Sequence, residues 1–227
     1  MIRKFGIAAV AVCAVAAFGL WFTGSRSQQA ETSLLPMGAA QAQETPPADA
    51  AVPEVPELVL GNPDAKVTVT EYASYTCPHC ATFHQAVFKP LKADYIDTGK
   101  IKFVFREVYF DRYGLWASIV ARCGGEMRYF GIAGMLFETQ QEWAASDDSA
   151  VVVENLKKIG RKAGMEDATI SACLEDNAMA QAMVAAFQAN ATADKIEGTP
   201  ALVINGTLHP NMSYGELKTL LDAELAK

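Results

Sequence analysis

The stretch VTEYASYTCPHC, residues 69–80, decides the fold of this 227-residue chain. Its first part belongs to a run of alternating, β-branched residues from Lys66 to Tyr72, which is typical of a strand. Its second part places two cysteines, Cys77 and Cys80, on either side of a Pro-His pair. Apolar residues at helical spacing follow, so the sequence predicts that a helix begins at the cysteine pair.

The position of Cys77 at the start of a helix predicts a reactive thiol. The helix dipole and the free amides of the first turn stabilise a thiolate, so the pKa of Cys77 should lie well below that of a free thiol. Cys80 lies a turn further in and can act as the resolving thiol. Pro78 fits the first helical position, where a missing N–H costs nothing. His79 can donate a hydrogen bond or a positive charge toward the Cys77 sulfur. A stabilised thiolate favours the reduced form, which makes the disulfide a stronger oxidant.

Three other uses of such a cysteine pair compete with redox chemistry. Covalent haem attachment needs histidine directly after the second cysteine, and Ala81 is there. A zinc site built from Cys77, Cys80 and His84 lacks a second cysteine pair, whereas structural zinc takes four ligands. A purely structural disulfide would close too small a loop to stabilise much. Thiol redox catalysis is therefore the main interpretation of the cysteine pair. His84 is predicted to be a surface residue of the helix and His209 a residue of the hairpin, and neither is given a role.

The rest of the folded part divides into strands, a helical block and a closing hairpin. A second strand is predicted over residues 101–106, and residues 111–194 show helical periodicities without a convincing strand. Strand character returns at residues 199–204, followed by the hairpin dipeptide Asn205-Gly206 and a last helix. The predicted order is strand-helix-strand, helical block, strand-strand-helix, an α/β fold with an all-helical insertion.

A proline opens the strand at residues 199–204. The pair Thr199-Pro200 after a glycine suggests a fixed, cis peptide bond. An ordinary proline at the edge of the sheet is the alternative, and the residues alone leave both open.

These segments together resemble the DsbA-like thiol:disulfide oxidoreductases of the thioredoxin superfamily. The resemblance is carried by residues 69–80, by YIDTGK and FVFR within residues 95–106, and by GTPALVING, residues 198–206. It covers about residues 57–227. The Pro-His pair between the cysteines is the one associated with DsbA itself.

The resemblance implies a thioredoxin-like fold with an inserted all-helical domain. Residues 57–110 and 195–227 would form the thioredoxin-like domain, and residues 111–194 the insertion. It also implies unfolded secreted proteins as substrates and reoxidation by a DsbB-like, quinone-linked membrane oxidase. We expect a monomer without cofactor or metal.

The same resemblance implies roles for particular residues. It implies that Cys77 is the nucleophile and that Pro200 lies in cis beside it. Glu71, six residues before Cys77, would sit under the thiol pair and move protons for Cys80, with an exposed strand-edge charge as the alternative. Thr199 departs from the valine that strong oxidases often carry before the cis-proline, and threonine occurs there in several disulfide isomerases.

Cys123 and Cys173 both fall in the helical block, Cys173 on an apolar face. Two buried thiols in one small domain tend to pair in an oxidising compartment. We therefore expect a second, structural disulfide that braces the insertion, with two separate buried thiols as the alternative.

The N-terminus predicts export. Two basic residues precede an 18-residue apolar run, so residues 1–22 are read as a signal peptide, either cleaved or retained as a membrane anchor. Residues 23–56, rich in Ala, Pro and Gln, are predicted to form a flexible linker and are too few and too polar for the dimerisation domain of the isomerases. Cys13 in the apolar run has no role. The predicted location is the periplasm or another extracytoplasmic space.

The net charge of the chain bears on which functions are compatible with the sequence. The chain carries a net charge of -7, which argues against nucleic-acid binding. An exported thiol oxidase is the leading interpretation. A disulfide isomerase or reductase on the same fold, and a non-catalytic peptide-binding module, remain as alternatives.

Overall fold

The computed structural model of the protein describes residues 53–227, in which five strands form one mixed sheet of order β1-β3-β2-β4-β5. The strands are β1 (Leu58–Gly61), β2 (Val67–Ala73), β3 (Ile101–Glu107), β4 (Ala201–Ile204) and β5 (Thr207–Pro210). β2 and β3 run parallel, and the other neighbours pair antiparallel. The predicted export segment and most of the predicted linker lie outside the described residues.

One helical segment connects β2 to β3. It consists of α1 (Pro78–Phe83), a π-helical segment (His84–Phe88), α2 (Lys89–Leu91) and a second π-helical segment (Lys92–Ile96). It starts at the cysteine motif, where the sequence predicts a helix.

A block of helices connects β3 to β4. Its members are α3 (Arg112–Cys123), α4 (Glu126–Glu138), α5 (Gln140–Trp143), α6 (Ser149–Lys162), α7 (Asp167–Glu175) and α8 (Asn177–Ala193), and α9 (Tyr214–Leu225) follows the hairpin. The predicted α/β class with a helical insertion is therefore confirmed. None of the helices in the described part of the chain is long and apolar enough to cross a membrane.

Strand β1 was missed by the sequence analysis. It pairs antiparallel with β3, with Leu58 opposite Phe105, and Leu58 is buried. The strand has four residues and ends at Gly61, whose φ is 83°. So short a segment shows too little alternation to be recognised, and its pairing with β3 is what makes it a strand.

The two faces of β2 carry different side chains. Val69 and Ala73 belong to the main core, together with Cys80 of α1. Tyr72 belongs to a smaller cluster on the opposite face. Because successive side chains of a strand alternate, Glu71 lies on the same face as Val69 and Ala73. Glu71 therefore faces the side of the sheet that holds Cys80.

Candidate active site

The two cysteines of the motif occupy different environments at the start of α1. Cys77 is the N-cap residue, and Pro78 is the first helical residue. Both cysteines are free thiols, with Cys77 half-buried and Cys80 fully buried. Only Cys77 is thus open to a thiol of another protein.

The two thiols also differ in acidity. Burial alone would raise the pKa of the Cys77 thiol. Contacts with Thr199 and the Cys80 thiol, and then the amides of Cys80 and His79, lower that pKa below its ordinary value. Burial raises the pKa of Cys80 far above its ordinary range. One thiol of the pair ionises readily, and the other keeps its proton.

Pro200 lies in the loop beside the thiols. The Thr199–Pro200 peptide bond is cis, and the Cys77 Sγ donates to the carbonyl oxygen of Thr199 at 3.6 Å. The buried hydroxyl of Thr199 has no hydrogen-bond partner within residues 53–227. Ala201 pairs with Tyr72, which brings this loop to the end of the strand that leads to Cys77. The loop and the motif are therefore adjacent because β2 and β4 are neighbours.

The two histidines near the thiols lie in different environments. His79 is exposed, and its backbone amide is among the contacts that lower the pKa of Cys77. The prediction that His84 is a surface residue was wrong: it is 8% exposed and stacks on Phe88 and Phe137, with ring centroids 4.8 and 5.0 Å apart. Phe137 belongs to α4, so the insertion covers the helix face that carries His84. The spacing of apolar residues near His84 does not show that this face is covered. Burial lowers the pKa of His84 to about 4, so its imidazole is neutral near pH 7.

Glu71 is buried in the centre of the sheet. It is 2% exposed and lies between Phe105 of β3 and Leu202 of β4 in the strand register. The alternative of an exposed strand-edge charge is therefore wrong, since β2 is a central strand. Burial raises the pKa of Glu71 to about 8, so its carboxyl is mainly protonated near pH 7.

A chain of polar side chains under the active-site turn was missed by the sequence analysis. The Tyr75 and Tyr129 hydroxyls are 2.7 Å apart, and Tyr129 donates to Glu107 at 2.8 Å. Arg122 also donates to the Glu107 carboxylate, at 2.6 Å. These residues lie in separate elements, and only the tertiary fold brings them together. Gln140 of α5, which contacts the same turn, was missed for the same reason.

The other two cysteines within residues 53–227 form a disulfide in the structure. Cys123 at the end of α3 and Cys173 in α7 are joined with a Cα–Cα distance of 6.0 Å. Both are half-buried rather than buried, because they line a cavity of about 260 Å³ whose apolar wall includes Leu58 and Ile119. The disulfide links two helices of the insertion.

Removal of this disulfide should destabilise the protein. The bridge spans 50 residues, and closing a loop of that length contributes about 4 kcal/mol on the chain-entropy argument. We expect Cys123→Ser/Cys173→Ser to lower the Tm by about 8–16 °C, measured by thermal unfolding under oxidising conditions. Peptide mapping after mild reduction should find the Cys77–Cys80 disulfide opened first.

Two results would contradict this prediction. Free thiols at both positions in protein isolated from an oxidising compartment would rule out the bridge. An unchanged Tm in the double variant would show that the bridge does not brace the insertion.

Comparison with known proteins places this site in a family. A thioredoxin family model matches residues 54–223. A Rickettsia bellii protein named as a protein-disulfide oxidoreductase is 36% identical over 167 residues, which cover 73% of this chain and 63% of that protein. Disulfide bond formation protein D of Bacillus subtilis is 29% identical over 182 residues, covering 74% of this chain and 76% of that protein. The crystal structure of Wolbachia pipientis alpha-DsbA1 matches with a TM-score of 0.70 and 25% identity, over 77% of this chain and 94% of that one.

The chain belongs to the thioredoxin family. With its helical insertion and its paired thiols at a helix start, it is similar in structure to alpha-DsbA1 of Wolbachia pipientis. The resemblance seen in the sequence is thereby confirmed, as is the thioredoxin-like fold that it implied.

Proposed function

We propose that this chain is an exported thiol oxidase that introduces disulfide bonds into unfolded secreted or periplasmic proteins. The contrast between the two thiols carries the proposal. Cys77 is accessible and has a lowered pKa, whereas Cys80 is buried and has a raised pKa. A thiol of low pKa is a good leaving group and stabilises the reduced form, so a disulfide that contains it is a strong oxidant.

The reaction starts from the oxidised Cys77–Cys80 pair. A substrate thiolate attacks the Cys77 sulfur, the bond between the two cysteines breaks, and its electron pair leaves on Cys80, which takes up a proton. A second substrate thiolate attacks the substrate sulfur of the mixed disulfide, and Cys77 leaves as a thiolate. The substrate gains a disulfide and the protein retains two electrons. A DsbB-like membrane oxidase linked to quinone is the partner that would remove them.

Glu71 suits the proton transfer that Cys80 requires. It lies on the sheet face that holds Cys80 and is mainly protonated near pH 7, because burial raises its pKa to about 8. It can therefore supply a proton to the leaving Cys80 thiolate, and accept one when the pair is reoxidised.

An open groove beside the cis-proline fits an extended substrate segment. The groove has a volume of about 650 Å³ and includes Thr199, Pro200, Leu208 and Pro210 in its walls. Leu208 is 44% exposed, so the groove offers apolar surface to an unfolded chain. A peptide here would lie along the loop that contacts Cys77. The threonine at position 199, shared with several isomerases, is the reason to keep isomerase activity as the second candidate.

The reduction potential of the Cys77–Cys80 pair tests the proposed direction. The protein is equilibrated with glutathione buffers, and the reduced fraction is quantified by thiol alkylation. An oxidase should lie near roughly -120 mV, an isomerase near roughly -180 mV and a reductase near roughly -270 mV. A value in the reductase range would overturn the oxidase proposal. A value in the isomerase range would favour the second candidate.

The thiolate of Cys77 gives a further prediction. We expect His79→Ala to raise the pKa of Cys77, because it removes an imidazole that can donate toward the Cys77 sulfur. The pKa is measured by thiolate absorbance against pH in the reduced protein. The folded pKa is depressed, so the stability that ionisation contributes is complete above the unfolded pKa of about 8.5 and is lost as the pH falls through the folded value. An unchanged pKa in His79→Ala would remove its imidazole from the mechanism and leave the backbone amides as the source.

A further inference from the structure

We propose that Gln140 is a positioning residue that holds the Cys77 turn in place for thiol–disulfide exchange; this rests on the redox role proposed for Cys77. Gln140 is the first residue of α5 and is 6% exposed. Its side-chain amide donates to the carbonyl of Tyr75 at 2.8 Å and to that of Cys77 at 2.9 Å. Both partners are acceptors, so both hydrogens of the NH₂ group are used.

A hydrogen bond to the Cys77 carbonyl can fix the orientation of the reacting residue. The peptide group between Cys77 and Pro78 has no N–H, so this carbonyl is its only polar atom. It also accepts from the amides of Cys80 at 3.1 Å and Ala81 at 3.2 Å, which begin the helix. Gln140 therefore helps to fix the orientation of the peptide group attached to the Cys77 Cα.

The Tyr75 carbonyl depends on Gln140 for its hydrogen bond more than the Cys77 carbonyl does. Within residues 53–227, Gln140 is the only residue found to donate a hydrogen bond to that oxygen. The two bonds span the turn from two residues before Cys77 to Cys77 itself. Loss of the amide would leave one buried carbonyl without a partner and remove two of the hydrogen bonds that hold the turn.

Gln140 is itself held by the corner between α4 and α5. The Trp143 indole is fully buried and donates to the Leu136 carbonyl at 2.8 Å. The Thr139 hydroxyl donates to the Met135 carbonyl, also at 2.8 Å. These contacts tie α5 to α4, so the donor that reaches the turn is anchored in the insertion.

A second contact holds the turn from another element of the insertion. The Thr76 hydroxyl donates to the Asp111 carboxylate at 2.6 Å. The same carboxylate caps α3 by accepting from the amides of Tyr113 at 2.8 Å and Gly114 at 2.9 Å. The insertion thus sets the geometry of the reacting cysteine, in addition to covering the helical segment that begins after Cys77.

The test compares Gln140→Leu and Gln140→Glu with Gln141→Glu, which makes the same charge change at the exposed neighbour in α5. The leucine removes both donors, and an ionised glutamate keeps the shape of glutamine but can only accept. Two quantities are measured: the rate of Cys77 alkylation by iodoacetamide against pH, and kcat/KM for oxidation of a reduced peptide.

We expect kcat/KM to fall by about 100-fold in both Gln140 variants, the loss that follows when a reacting atom moves by about 1 Å. The midpoint of the alkylation profile should move to higher pH, which a loss of stability alone would not cause. Gln141→Glu should match the wild type in both measurements.

The outcomes separate this proposal from the proposed function. A folded Gln140→Glu variant that alkylates and oxidises as the wild type does would refute the positioning role, and it decides the question if Gln140→Leu does not fold. A wild-type potential in the reductase range would refute the oxidase function, while the alkylation profiles would still test Gln140.

Discussion

Cys77→Ser should abolish the oxidation of a reduced, unfolded protein, whereas Cys80→Ala, incubated with a protein that already carries disulfides, should trap that protein as a mixed disulfide. The half-buried Cys77 sulfur at the helix start is the one that another protein's thiol can reach, and the fully buried Cys80 is not. Without Cys77 no mixed disulfide can form, so oxidation should fall to the uncatalysed rate. Without Cys80 the Cys77 thiolate still attacks a substrate disulfide, but no protein thiol releases it.

Non-reducing electrophoresis and peptide mapping measure both outcomes. The trapped species should contain Cys77 joined to a substrate cysteine, and a reductant should release it. Cys123→Ser/Cys173→Ser is the matched control, because it removes two cysteines and keeps the redox pair. Trapping through Cys80 in the Cys77→Ser variant would overturn the assignment of the nucleophile.

The part of the site that the sequence predicts is the part that local structure determines. A strand that ends at the motif and a helix that starts with Pro78 place Cys77 at an N-cap, and the N-cap position alone predicts a reactive thiol. The residues around Pro200 left the cis bond and an ordinary edge-strand proline both open, and the family resemblance favoured the cis bond that the structure has. The pairing of Cys123 with Cys173 was expected from their shared place in the helical block.

The parts that the sequence did not predict depend on contacts between distant segments. Strand β1 is a strand because β3 lies beside it, and its four residues carry too weak a pattern of their own. His84 is buried because Phe137 of α4 packs on its ring. Gln140 lies 63 residues after Cys77 in the sequence, yet it donates to the Cys77 carbonyl. No spacing rule connects such pairs, since the insertion is placed by packing.

Glu71 is a buried carboxyl in the central strand β2, and its substitution should have a large effect on the free energy of unfolding. The folded pKa of about 8 lies above the usual value of 4.5, so between these values the folded state binds more protons than the unfolded state. Stability must then fall as the pH rises through this range. The contribution of Glu71 is fully present below about pH 4.5 and is lost as the pH rises through 8.

We therefore expect Glu71→Gln to stabilise the protein at alkaline pH. Glutamine cannot ionise, so the variant avoids the cost of a buried charge, which reaches roughly 5 kcal/mol once the pH exceeds the folded pKa. Below pH 4.5 the variant and the wild type should unfold at similar urea concentrations. Urea unfolding at both ends of the range measures the difference, and Glu166→Gln, at an exposed position, is the control for the substitution itself.

The Glu71→Gln variant also distinguishes the effect of Glu71 on stability from its proposed role in proton transfer. If Glu71 exchanges protons with Cys80, Glu71→Gln should slow the step in which Cys80 leaves or attacks, followed as the rate of mixed-disulfide formation and of reoxidation. A more stable variant with unchanged rates would remove Glu71 from proton transfer and leave its burial without a catalytic purpose. A stability that does not respond to pH would contradict the buried, protonated carboxyl itself. Greater stability together with slower exchange would show that this fold keeps a destabilising acid under its thiols because the reaction needs the proton.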